Sequence, residues 1–203
     1  MTVPSGTVLP LTQVRGSEVA VAHPDTNDML FVPAKFTDLF ARSRELAALP
    51  ADQRPGLLAD LLQGVAVDAQ GKPAAIPKNA RYYVIYFAAS TCPRCEVFTP
   101  KFVEYFNKAL AKREDVAVLT WPTEAETAPM LAYTKSKNIP WPTIPAEIKG
   151  QIGSLINQRG VFEIPGILVV DRFNTPLLST SNMSGAPLDA ANAALAQLDS
   201  VLK

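Results

Sequence analysis

The sequence predicts an α/β domain built around a single core. Three observations carry this reading: strands and helical segments alternate from Val65 onward, the apolar β-rich runs Tyr82 to Phe87 and Val116 to Trp121 flank a helical stretch, and the chain closes with a hairpin and a helix. At 203 residues, 48% hydrophobic and 19% charged, the chain can hold one well-buried domain plus an appendage, but not two full-sized domains.

The first stretch, residues 1–64, is punctuated by Pro, Gly and Ser, with a short hairpin expected at Gln13 to Ala22 turning at Gly16-Ser17. Phe36, Leu39, Phe40 and Leu46, and after Pro55 Leu57, Leu58, Leu61 and Leu62, recur at helical spacing and predict two short amphipathic helices. From Val65 the texture changes to a strand-like Val65 to Asp68 and a turn at Gln70-Gly71-Lys72. The apolar run Tyr82 to Phe87 suits a strand covered on both faces and is the expected central strand. A helix follows to about Lys112, then a second buried strand at Val116 to Trp121. Ala125 to Lys137 and Ile148 to Arg159 read as helices separated by the proline-dense Ile139 to Pro145, which is incompatible with regular helix. Ile164 to Asp171 and Thr175 to Thr180 read as strands meeting at Arg172 to Asn174, and Leu188 to Leu202 as a closing amphipathic helix. There is no internal repeat and no low-complexity tract.

Nineteen basic and nineteen acidic side chains cancel, which removes any global field to recruit nucleic acid. No apolar run approaches the ~20 residues that cross a bilayer. Met1 to Leu30 lacks the basic start and apolar stretch of a signal peptide. The only two cysteines lie at C-x-x-C spacing, which closes too short a loop to restrict the unfolded chain much, so chemistry explains them better than stapling.

Thr91-Cys-Pro-Arg-Cys95 falls where a strand ends and a helix begins. Proline is favoured at the first helical position because its missing N–H was an orphan there anyway. This places Cys92 at the N-cap and Cys95 at the third helical position, with the two sulfurs within bonding reach. Free backbone N–H groups, the helix dipole and the Arg94 charge then stabilise an anion at Cys92, the expected nucleophile. Cys95 shares an apolar stripe with Phe98, Phe102 and Phe106, so it is expected buried beneath Cys92, resolving the mixed disulfide. No cofactor is needed. Zinc would want four ligands, and there is no second cysteine pair and a single histidine, His23. The plainer reading, two incidental core cysteines, does not account for their position at a strand-to-helix junction.

These residues resemble the thioredoxin superfamily, and within it the tryparedoxin, nucleoredoxin and TlpA-like branch. Tyr86-Phe-Ala-Ala-Ser-Thr-Cys-Pro-Arg-Cys-Glu-Val-Phe-Thr-Pro100 resembles the branch pattern Tyr-Phe-Ser-Ala-x-Trp-Cys-Pro-Pro-Cys-Arg-x-Phe-Thr-Pro. Leu119-Thr-Trp121, Asn138-Ile-Pro-Trp141 and Phe162-Glu-Ile-Pro-Gly-Ile-Leu-Val-Val-Asp171 follow its later segments in order. The resemblance covers about Val65 to Thr180. It implies a thioredoxin-like fold, a central mixed β-sheet flanked by helices on both faces in residues 65–203, with residues 1–64 an N-terminal extension expected to cap the sheet edge. It also implies a cis-proline at Pro165 beside the dithiol, with Ile164 offering backbone groups to an extended substrate, and a helix-kinking proline at Pro100. The tryptophan that precedes the first cysteine in the branch is Thr91 here, which removes an aromatic wall beside the sulfur.

The expected activity is therefore thiol–disulfide oxidoreduction on protein disulfides. Cys92 and Cys95 are the working residues, Thr91, Pro93, Arg94, Trp141, Ile164 and Pro165 form the substrate surface, and Tyr86 is a possible donor to Cys95. Partners are disulfide-containing proteins and an upstream redox protein, and a monomer is expected. The alternative is a redox-inactive thioredoxin-like binding module. A peroxidase is disfavoured because Ala89 stands where peroxiredoxin-like patterns have Thr or Ser. Direction of flux depends on potential and compartment, which two cysteines do not reveal. The Tyr82-Tyr-x-x-Tyr-Phe87 and Met130-Leu-Ala-Tyr133 stretches resemble exported bacterial redox proteins, which points to an extracytoplasmic location.

Overall fold

The structure, a computed structural model, describes residues 11–15, 18–22, 29–38, 41, 62, 64–149 and 163–203. The chain divides into two compact units, residues 1–54 and 55–203.

In the first unit, β1 (Leu11–Arg15), β2 (Glu18–Ala22) and β3 (Met29–Pro33) form an antiparallel sheet in that order. The β1–β2 pair is the hairpin expected around Gly16-Ser17. The third strand was not anticipated from sequence, because five residues ending in proline carry a strand signal only when an edge is available to pair with. That edge is β2, in the register Val19↔Val32 and Val21↔Leu30. One face buries Val19 and Val21 against Leu30 and Val32, and Met29 and Phe31 on the alternate face are exposed. The helices expected at 36–46 and 57–62 fall outside the described residues, except for a 3-10 turn at Ala34–Phe36 and a buried, helical Leu62.

The second unit is built on a mixed sheet ordered β5-β4-β6-β7. β4 is Tyr82–Ala88, β5 is Val116–Pro122, β6 is Gly166–Asp171 and β7 is Pro176–Ser179. β4 pairs parallel with β5 and antiparallel with β6, so both of its edges are satisfied, and six of its seven residues, Tyr83 to Ala88, alternate between two apolar clusters. Side chains alternate across a strand. Val84, Tyr86, Ile167 and Val169 therefore face one way, and Tyr83, Ile85, Phe87, Leu168 and Val170 the other.

Three α-helices contribute to the first face: α1 (Pro93–Tyr105), α2 (Thr127–Ser136) and α3 (Pro187–Val201). Cys95, Phe98 and Phe102 of α1, Met130 and Tyr133 of α2, and Ala191, Ala194 and Leu198 of α3 fill that layer. The second face is covered by Leu62, Ala66, Ile76, Ala80 and Ile144. The helix expected to run to Lys112 is α1 followed by a wider π-helical turn, Phe106–Leu110. The helix expected at Ile148 to Arg159 lies mostly outside the described residues, where only a 3-10 turn at Ala146–Ile148 is seen.

The turns have local causes. The Asp171 carboxylate accepts from the N–H groups of Phe173 and Thr175 at 2.8 Å each, holding the β6–β7 reversal in which Asn174 takes φ 66°. α2 ends on Asn138 at φ 51°, and the Ile139 N–H returns to the Thr134 carbonyl at 2.9 Å, a left-handed cap that asparagine tolerates. Near the chain end, Arg113 grips Asp115 with Nε to Oδ1 at 2.9 Å and its other arm donates to the Leu202 carbonyl at 2.6 Å. No helix among the described residues is long and apolar enough to cross a membrane.

Leu168 is fully buried in the second cluster, so Leu168→Ala is expected to cost about 2–5 kcal/mol of stability, read as a lowered urea midpoint. The Arg113 hydrogen bonds hold the Asp115 carboxyl below its ordinary value. Its stabilisation is therefore complete above the unfolded-chain value near 4 and is lost as pH falls through the lower folded value. Asp115→Asn is expected to lower stability at pH 7 by about 0.5–1 kcal/mol, the pair being partly exposed, and to leave stability at pH 2 unchanged in the same titration.

Candidate active site

The C-terminal end of β4 sets the site. After Ala88 the chain turns, the Cys92 N–H donates to the Ala89 carbonyl at 3.2 Å, and α1 begins. Cys92 is the N-cap, with extended backbone at φ −85° and ψ 111°, and Pro93 occupies the first turn. The Cys92 sulfur accepts the Cys95 N–H at 3.1 Å, the position where an N-cap side chain satisfies an orphan donor. The sulfur therefore sits at the helix end where backbone N–H groups lack helical partners. Cys92 and Cys95 are both free thiols.

Their surroundings differ. Cys92 is 7% exposed and Cys95 0%. Burial, the Cys92 sulfur beside it and hydrogen bonding push the Cys95 thiol up to about 12, with the Ala89 backbone and the Tyr86 hydroxyl pulling the other way. Cys95 is therefore protonated at neutral pH. Thr91, Pro93 and Arg94 lie exposed around Cys92. Pro100 sits within α1, where its missing N–H leaves the Glu96 carbonyl without its helical partner.

The Ile164–Pro165 peptide is cis and Pro165 is buried. Gly166, the next residue, pairs with Phe87 near the end of β4, so the register brings this bond to the same end of the sheet as Cys92. Ile164 is half-buried between the two apolar clusters. Trp141, expected in a substrate groove, is instead 3% exposed within the core. Its ring packs 4.7 Å from Phe102 and 5.1 Å from Phe106, and its Nε1 donates to Thr120 Oγ1 at 2.9 Å. A ring this enclosed has a packing role, and the proline-rich segment that carries it folds inward rather than forming an exposed loop.

Tyr86 lies beneath the dithiol, fully buried among Phe98, Phe102 and Trp141. Burial raises its hydroxyl well above the ordinary tyrosine value, as does the proximity of Cys95. Two further hydroxyls join it that sequence reasoning passed over: Tyr86 Oη lies 2.7 Å from Thr99 Oγ1, which lies 2.8 Å from Tyr133 Oη. The available signal was Thr99, four residues past Cys95 and so on the same helix face. Glu96 forms an ion pair with Lys137 beside Tyr133, and the Glu124 carboxylate accepts the Ser90 N–H at the approach to Cys92. Among the described residues, no group of three or more metal-ligating side chains gathers.

No family model matches the sequence. The chain is 30% identical over 97 residues to the tryparedoxin of Trypanosoma brucei brucei, a match covering 47% of this chain and 65% of that relative, just under two thirds of its length. Tryparedoxin I from Leishmania major superposes with a TM-score of 0.53 at 20% identity, covering 71% of this chain and 95% of that one. A thioredoxin from Wuchereria bancrofti superposes with a TM-score of 0.52 at 21% identity, covering 66% and 96%.

At neutral pH, iodoacetamide is expected to modify Cys92 at least about tenfold faster than Cys95, because reactivity follows exposure and thiolate fraction; peptide mass spectrometry after brief labelling reads the ratio. The fold is thioredoxin-like, Cys92-Pro-Arg-Cys95 opens its first helix, and the chain is similar in sequence to a tryparedoxin over 97 residues.

Proposed function

We propose that this protein is a thiol–disulfide oxidoreductase acting on protein disulfides. The observation that carries the reading is the asymmetry of the pair: one sulfur capped by backbone N–H at a helix start and bordered by exposed residues, the other sealed beneath it and protonated. The Cys92 thiolate attacks one sulfur of a substrate disulfide, displacing the other as a thiolate. The Cys95 sulfur then attacks Cys92, forming the intramolecular disulfide and releasing the second substrate sulfur. The pair ends oxidised by two electrons, the substrate reduced by two, and an external dithiol resets the enzyme.

The expected substrate surface comprises Thr91, Pro93 and Arg94 around the nucleophile and the Ile164–Pro165 backbone across from it. With threonine in place of the branch's tryptophan, this surface is smaller and more polar beside Cys92, which suits an extended peptide gripped by its main chain.

Insulin reduction with dithiothreitol as the resetting reductant tests the reading. Cys92→Ser is expected to lose at least about a hundredfold of turnover, and Cys95→Ser to accumulate a covalent mixed disulfide visible on non-reducing electrophoresis. Full turnover by Cys92→Ser would overturn it. Equilibration in glutathione buffers assigns direction: a potential near about −270 mV marks a reductant and one near about −120 mV a disulfide donor.

A further inference from the structure

Three buried hydroxyls run in series away from the resolving sulfur. Tyr86 and Thr99 are fully buried and Tyr133 is 5% exposed. Tyr86 shares the buried cluster around the Cys95 sulfur, Thr99 Oγ1 bridges Tyr86 and Tyr133 at 2.7 and 2.8 Å, and Tyr133 lies beside the partly exposed Glu96–Lys137 pair. The three residues come from three elements, β4, α1 and α2. Hydrogen bonds of this kind net only about 1 kcal/mol each, whereas any one left unpartnered costs more than that, so stability alone gives weak reason to bury three hydroxyls where phenylalanine and valine would pack.

The exchange chemistry gives a stronger reason. Before Cys95 can form a bond to Cys92 its proton must leave, and it is buried with a tyrosine against it. A buried tyrosine cannot ionise first, nor hold a second proton. It can accept a proton only by handing on its own in the same motion, which requires a positioned acceptor. Thr99 Oγ1 lies at hydrogen-bond distance to serve as that acceptor for Tyr86, and Tyr133 Oη to serve as the acceptor for Thr99.

We propose that Thr99 and Tyr133 complete a proton path that carries the Cys95 thiol proton, through the Tyr86 hydroxyl, to solvent beside the Glu96–Lys137 pair as Cys95 attacks the mixed disulfide. The inference rests on the disulfide-exchange reading above. The Cys95 proton passes to the Tyr86 oxygen, the Tyr86 proton to Thr99, the Thr99 proton to Tyr133, and the Tyr133 proton to water. The Cys95 electron pair forms the bond to the Cys92 sulfur. The bond from Cys92 to the substrate sulfur breaks, and that sulfur leaves as a thiolate. Thr99 and Tyr133 touch neither sulfur of the breaking bond and act as positioning residues of the path. The charged and titratable groups around it are Cys92, Glu96 and Lys137.

The reduced 203-residue protein mixed with 5,5′-dithiobis(2-nitrobenzoate) separates the steps. Attack by Cys92 releases one coloured thiolate, and resolution by Cys95 releases a second. Tyr133→Phe and Thr99→Val are expected to slow the second release about tenfold, at the low end of acid–base contributions, with the first unchanged, and Thr99→Ser to restore it. Between pH 7 and 9 the second phase of the variants is expected to rise about tenfold per unit, as for direct proton loss to hydroxide, and that of the parent protein less steeply. Tyr133→Phe keeps the ring and decides the matter if Thr99→Val does not fold. A second phase unaltered in Tyr133→Phe, both phases slowed together, or Thr99→Ser as slow as Thr99→Val would overturn the path. If the parent protein released no second equivalent, the exchange reading itself would fall, and the path with it.

Discussion

The second unit depends on one constraint, the double burial of β4. Its two edges are bonded to β5 and β6, and its side chains alternate into two separate apolar clusters. A one-residue slip would carry Tyr83, Ile85 and Phe87 into the wrong cluster and expel Val84 and Tyr86 from theirs, so the register is strongly specified. The site inherits that precision. The turn after Ala88 leaves from a strand that cannot shift, and Gly166, after the cis peptide, is bonded to the same strand. The turn that carries the two cysteines and the cis peptide, distant in sequence, are both anchored to this one strand.

The two cysteines are chemically identical side chains in different settings, Cys92 at 7% exposure and Cys95 fully enclosed. Two residues, Pro93 and Arg94, separate Cys92, at the end where backbone N–H groups lack partners, from Cys95, under the first turn and against the sheet. The same turn that offers a backbone N–H to one sulfur buries the other. Pro93 helps by needing no hydrogen bond at the first helical position.

The core that encloses Cys95 is aromatic and apolar, and its polar content is satisfied internally. Trp141 donates to Thr120, and the Tyr86, Thr99 and Tyr133 hydroxyls bond in series. Such groups are costly in low dielectric unless paired. Here pairing draws on five segments of the chain, which ties the helix that carries the cysteines to the sheet and to α2 more specifically than apolar contact would.

What the sequence determined by itself is the local chemistry: alternating apolar runs of strand type, a proline after the first cysteine, and a C-x-x-C spacing that fits one helical turn. These are properties of neighbouring residues, so periodicity and capping rules reveal them, and the N-cap position of Cys92, the buried stripe beneath it and the central strand were all legible. Tertiary structure decided what depends on residues far apart. β3 exists because β2 offers an edge, Trp141 turns inward because Phe102, Phe106 and Thr120 make a place for its ring and its N–H, and Thr99 meets Tyr86 and Tyr133 only once helix packs on sheet. Pairing and packing of this kind are set by three-dimensional proximity, which no local pattern of residues encodes.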